Sequence, residues 1–142
     1  MKSQRHQIKA TVLIANYNNQ KYIDRCIKSV LNQTYKNLEI IFIDDLSTDN
    51  SVETAKKYKE IKVLITKKKT KFGCLNQINS YKTGLMFSAG EVIFFLDSDD
   101  FFKKNKVETT MKYFKKKKLS ICFDKSILFF NKKKKIKSQI NF

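Results

Sequence analysis

The sequence predicts an α/β domain: a mainly parallel, Rossmann-like sheet flanked by helices. Three observations predict it. Four short apolar runs read as buried strands, three stretches of helical periodicity alternate with them, and two of the runs end in acidic clusters, Ile40 to Asp45 and Val92 to Asp100. Strands that alternate with helices become parallel neighbours through right-handed crossovers. Carboxylates at their C-terminal ends then emerge along one sheet edge, where open α/β folds bind ligands.

The first run, Thr11 to Ala15, is β-rich and leads through the polar turn Asn16-Tyr17-Asn18-Asn19 into Ile23, Cys26, Ile27, Val30 and Leu31, spaced as one helix face. Leu38 to Ile43 is the second strand. Asp45 to Asp49 offers capping oxygens for a helix carrying Val52, Ala55 and Tyr58. Ile61 to Ile65 is the third strand. A Lys-rich loop, Lys67 to Lys71, enters a helix whose apolar positions are Leu75, Ile78, Leu85 and Ala89 and which Gly90 ends. Val92 to Leu96 is the fourth strand. Beyond it, Val107, Met111 and Phe114 suggest a helix, Ser120 to Phe123 and Ile127 to Phe130 suggest two short strands, and Asn131 to Lys137 reads as a basic, frayed end.

Composition supports a folded domain, with 42% hydrophobic residues, three glycines and no proline. The net charge of +17 is concentrated at the end, where residues 101–142 hold 14 Lys against Glu108 and Asp124. Arg5 and Arg25 are the only arginines, so the guanidinium forks that favour phosphate and base recognition are scarce, and no specific nucleic-acid partner is expected. The Lys-rich tail reads as a solvated surface or as a peripheral contact with an anionic membrane. Cys26, Cys74 and Cys122 are widely spaced and His6 is the single histidine, which argues against a disulfide framework or a zinc site. Cys26, on an apolar helix face, reads as a small hydrophobe. The apolar runs are far shorter than the ~20 residues that span a bilayer. A cytoplasmic protein is expected, with docking at the inner membrane face left open.

In a parallel sheet the turn after the first strand, the Asp44-Asp45 pair and the Asp97 to Asp100 cluster all reach one edge and surround one ligand. Five like charges there repel, and a divalent metal escorting a phosphorylated ligand resolves the repulsion. Asp44-Asp45 is placed to accept hydrogen bonds from a base or ribose, and the Asp-x-Asp suits a hard metal bridging two phosphates. Tyr17 either stacks on the base or is a packed loop aromatic, while Phe101-Phe102 reads as core or rim.

These segments resemble glycosyltransferase family 2, the inverting nucleotide-sugar transferases of GT-A fold, over about residues 9–115. The matching pieces are Val12 to Asn18, Ser29 to Tyr35, Ile43 to Ser51 and Gly84 to Asp100, in the family's order and spacing. The resemblance implies that Ala15, Tyr17, Asn18 and Asp45 border the nucleotide, with Asp44 in support and Asp97 shaping its turn. It further implies that Asp99 contacts the ribose or the metal, that Asp100 is the direct metal ligand, and that the metal is Mg²⁺ or Mn²⁺. The activity implied is transfer, with inversion, from a nucleoside-diphosphate sugar, a UDP-sugar being expected, to a glycan or lipid-linked acceptor.

The chain departs from the family pattern in three places. Tyr81-Lys82 stands where many members have Arg-Asn, so the contact expected near the diphosphate is either altered or supplied by Lys82. Leu46 replaces a usual glycine, at a position not expected to need positive φ. The acceptor half, with its catalytic base, is not recognisable: residues 1–115 read as the donor-binding core and 116–142 as an incomplete acceptor region. A donor-binding domain without turnover is therefore one alternative, and a Lys-driven membrane or nucleic-acid module another. A phosphoacceptor receiver domain fits poorly, because a full strand–helix unit precedes Asp44-Asp45 and too little chain follows Asp97.

Overall fold

A computed structural model describes residues 7–117, 122, 127–130 and 134–137. By its contacts the chain divides into two compact units, Met1–Glu108 and Thr109–Phe142.

The first unit carries strands β1 (Ala10–Asn16), β2 (Leu38–Asp44), β3 (Lys62–Ile65) and β4 (Val92–Asp97). Between them lie helices α1 (Gln20–Leu31), α2 (Ser51–Lys56) and α3 (Gly73–Met86). The strands form one parallel sheet in the order β3-β2-β1-β4. All seven residues of β1 are buried, because β1 is flanked on both edges and covered on its faces. Its register brings Asn16 opposite Asp44 and Ala15 opposite Asp97, so both acidic turns leave the sheet at the same height. The expected alternation of four strands and three helices is the observed one.

Details differ from expectation. Helix α2 stops at Lys56, so Tyr58 lies beyond it and its hydroxyl donates to Asp24 at 2.7 Å. Helix α3 stops at Met86, four residues before Gly90. Gly90 does not cap it: a Cβ there would lie 2.6 Å from the Thr11 backbone nitrogen, so glycine lets this loop run against β1. Leu46 takes φ 55, contrary to the expectation for that position; the turn after β2 requires the left-handed conformation that glycine would adopt without strain.

Helix α3 also turns the other way round. Its buried residues are Asn76, Ser80 and Gly84, whereas Leu75, Ile78 and Leu85, expected to face the core, are exposed. The sheet accepts only small side chains here, since a Cβ on Gly84 would meet Ile43 Cδ1 at 2.8 Å. Beneath α3 lies the cluster Leu13, Ile41 and Ile43, with Leu64, Tyr81 and Ile93 packed against it. By contrast α1 buries Ile23, Cys26, Ile27 and Val30, as its periodicity predicts.

Helix α4 (Lys106–Lys117) contains Val107, Met111 and Phe114 as expected. In the second unit, β5 (Ile127–Phe130) pairs antiparallel with β6 (Lys134–Lys137). The segment expected to fray thus supplies a strand, its backbone groups being paired with β5. Of the strand expected over 120–123 only Cys122 is described, and it is not in a strand; the rest lies outside the described residues.

Candidate functional site

A cleft of about 530 Å³ opens at the C-terminal edge of the sheet. Ala15, Asn16 and Tyr17 from the end of β1, Asp45 from β2, and Asp97 and Asp99 from β4 line it, closed on one side by α3 residues that include Asn76, Gln77 and Ser80. Four parallel ends meet here because backbone bonds lock their turns together. The Asp45 N–H donates to the Asn16 carbonyl (2.8 Å), the Thr66 N–H to that of Asp44 (2.9 Å) and the Ser98 N–H to that of Ala15 (3.0 Å).

Asp44 is buried and committed to this frame. Its Oδ1 accepts from Asn16 Nδ2 (2.7 Å) and Ser47 Oγ (2.6 Å), and its Oδ2 accepts from the Ser47 N–H (2.8 Å). Asp45 is only 4% exposed yet faces the cleft, and its Oδ1 accepts from Thr66 Oγ1 at 2.9 Å. Tyr17 stands at the mouth, 46% exposed, with the Lys69 ammonium 3.1 Å from its ring centroid. Asn18 does not join this cleft. Its side-chain oxygen accepts from the Thr48 N–H at 2.8 Å and it takes φ 50, so it shapes the neighbouring turn.

The second acidic turn is tethered from several sides. Asp97 Oδ1 accepts from Gln77 Nε2 and from the Tyr81 hydroxyl, both at 2.6 Å. Asn19 Nδ2 donates to Ser98 Oγ (3.0 Å), and Arg25 donates to the Asp99 carbonyl (2.8 Å) while lying over the Phe101 ring. Phe102 packs edge-on against Phe94. Asp99 lines the cleft and Asp100 lies beside it on the exposed side of the turn. Partial desolvation, then repulsion by Asp99 and Asp97, raises the Asp100 pKa above the usual carboxylate value, against the pull of Arg25. Burial first, then the bond to Asp97, pushes the Tyr81 pKa up, so its hydroxyl stays protonated and donates. Cys26 is fully buried and its thiol is raised to about 12, chiefly by that burial.

Lys82 is exposed and does not line the cleft, because one helical residue earlier Tyr81 already faces Asp97. Thr66, Asn76, Gln77, Ser80 and Tyr81 were not among the residues expected at the site. Their signal was faint: Asn76, Ser80 and Gly84 recur every fourth residue, which marks one helix face by small or polar side chains. Two buried polar atoms of the cleft wall, Asn16 Oδ1 and Ser80 Oγ, have no protein partner. Such atoms are costly unless something else satisfies them.

Among the described residues no three His, Cys, Asp or Glu side chains converge on a ready-made metal cage. The hard oxygens of Asp99 and Asp100 fit a different kind of site, in which one or two carboxylates share Mg²⁺ or Mn²⁺ with phosphate oxygens of a ligand.

The model of glycosyl transferase family 2 matches residues 11–142. The chain is 38% identical over 119 residues to the poly(ribitol-phosphate) beta-N-acetylglucosaminyltransferase TarP of Staphylococcus aureus, covering 82% of this chain and 36% of TarP. It spans about a third or less of the length of three other curated relatives and 44% of a fourth. Among solved structures, S. aureus TarS superposes with a TM-score of 0.69 at 24% identity, over 77% of this chain and 20% of TarS. The mannosyltransferase PcManGT of Pyrobaculum calidifontis superposes with a TM-score of 0.65 at 19% identity, over 78% of this chain and 33% of that one. The fold is therefore the GT-A fold that the sequence led us to expect, and the chain belongs to glycosyl transferase family 2.

Proposed function

We propose that this chain is the donor-binding part of an inverting glycosyltransferase, holding a UDP-sugar with Mg²⁺ or Mn²⁺ and passing the sugar to a glycan or lipid-linked acceptor. The observation that carries this reading is the cleft, where Asp45, Asp97 and Asp99 meet the unpartnered Asn16 Oδ1 and Ser80 Oγ. Relatives lend support. TarS has been crystallised with UDP-GlcNAc, PcManGT with GDP-Man and Mn²⁺, and a similar Escherichia coli protein is named for transfer to a diphosphoundecaprenol-linked sugar.

Asp45 is the residue proposed to meet the base. Asp45 Oδ1 accepts one hydrogen bond, from Thr66, and a carboxylate so placed keeps lone pairs for a ligand. Such lone pairs can accept the N3–H of uracil, and the TarS structures with UDP and UDP-GlcNAc support uracil as the base. Tyr17 offers a ring face for the base once Lys69 moves aside, and Asp44 holds the turn rigid. Asp99 and Asp100 would hold the metal, which when bound offsets negative charge on the departing diphosphate. The acceptor hydroxyl then attacks the anomeric carbon from the face opposite the C–O bond to phosphate. That bond breaks, and the hydroxyl proton passes to a base.

On this reading the carboxylates that line the cleft serve the donor, and Glu108, which accepts a hydrogen bond from Thr34 at 2.8 Å, does not line it. This favours, as a second reading, a chain that binds the donor without turning it over.

Calorimetric titration tests the proposal. UDP should bind in Mn²⁺ at least about tenfold more tightly than in EDTA, and more tightly than GDP. Asp100→Asn in Mn²⁺ should behave as the wild type does in EDTA. A folded wild type that takes up neither nucleotide would sink the donor-site reading, and equal affinity for UDP and GDP would sink the assignment of uracil.

A further inference from the structure

Helix α3 presses Asn76, Ser80 and Gly84 onto the sheet, so the opposite side presents Leu75, Ile78, Lys82, Leu85 and Met86, spaced three, four, three and one apart. Phe72 precedes this stripe and Phe87 follows it. Phe72 is 65% exposed, Ile78 59% and Met86 76%. An apolar stripe on a surface helix ordinarily faces the core, and a continuous exposed one marks an interaction surface.

The surrounding charge selects the partner. From Lys67 to Gly90 the chain carries five lysines, Lys67, Lys68, Lys69, Lys71 and Lys82, and no Asp or Glu. All five are exposed. A second copy meeting this face on its own equivalent would set Lys82 against Lys82. Anionic headgroups, by contrast, complement the lysines while the acyl boundary takes the apolar stripe. With 14 residues, α3 is ~21 Å long, enough to lie in the interface and too short to cross it.

We infer that the outer face of α3, entered by Phe72 and closed by Phe87, is a docking surface for an anionic lipid bilayer. Gly73 and Gln77 of the same helix line the cleft, so docking sets the cleft mouth beside the membrane. On the donor-site reading, that is where the sugar of a lipid-linked acceptor would be met.

The chain contains no tryptophan, so Phe72→Trp introduces a single fluorescent reporter. It is mixed with vesicles of phosphatidylcholine alone and of an equimolar mixture with phosphatidylglycerol. Binding to the mixed vesicles is expected, with a blue shift of the emission and with weakening, but not abolition, at high salt. The triple variant Phe72→Ser, Ile78→Ser, Met86→Ser keeps every charge and, by co-sedimentation with the vesicles, should bind about tenfold or more weakly than the wild type, its folding checked by circular dichroism. The inference is overturned if the wild type ignores the mixed vesicles, or if the triple variant binds equally well through the tail lysines. It is also overturned if the reporter stays in water while the protein is bound, or if the wild type is a dimer that the triple variant splits. None of these readouts needs a nucleotide, so the donor-site reading stands or falls separately.

Discussion

The turn after β2 surrounds its carboxylates with donors, whereas the turn after β4 sets three carboxylates close together with fewer. Asp44 accepts three hydrogen bonds and Asp45 is fixed by Thr66. In the second turn Gln77 and Tyr81 satisfy Asp97, while Asp99 and Asp100 stay exposed and Asp100 is harder to ionise than an ordinary aspartate. The first turn is held largely by the protein's own donors. The second concentrates like charge, which raises the Asp100 pKa, and on the donor-site reading a cation would offset that charge.

Removing a carboxylate should therefore have opposite consequences in the two turns. The largest effect expected is from Asp44→Ala, which removes the acceptor of buried Asn16 Nδ2, leaving it only its longer bond to Ser47 Oγ, and of the half-buried Ser47 N–H and hydroxyl, and should cost about 2–3 kcal/mol in urea unfolding. A loss under about 1 kcal/mol would mean that backbone bonds alone hold the turn. Next comes Leu46→Gly. Leucine at φ 55 is strained, and its side chain is partly exposed, so glycine should gain about 0.5–1 kcal/mol. No gain would show that the Leu46 side chain contributes packing that offsets the strain.

Smallest, and opposite in sign to the first, is Asp100→Asn, which in EDTA should raise Tm slightly at neutral pH. Its carboxyl has a folded pKa above the unfolded value, so ionisation costs folding free energy. That cost is full above the folded pKa and gone below the unfolded pKa of about 4. The advantage of the variant should accordingly vanish in acid, and an advantage that persists there would point to a cause other than charge.

Much of the acidic edge was legible beforehand. Asp44, Asp45, Asp97 and Asp99 sit at the ends of apolar runs, and strand polarity alone sends such ends to one edge. Helix α1 was equally readable, its apolar period matching the face it buries. Helix α3 was not. Its apolar residues are as regular as those of α1, and only the close approach of α3 to Ile43 and Leu13 decides that Gly84, Ser80 and Asn76 go inward. The same rotation aims Tyr81 at Asp97 and leaves Lys82 outside.

The sequence by itself determined the parallel sheet, its order of elements and the carboxylates gathered along its edge, because hydrophobic period and strand length are local properties of the chain. Which lone pairs of that edge are already used, which wall closes the cleft and which helix face is left for a partner were decided only in the tertiary structure. Hydrogen-bond saturation and close packing depend on residues brought together from distant parts of the chain, such as Asp45 with Thr66 and Thr11 with Gly90.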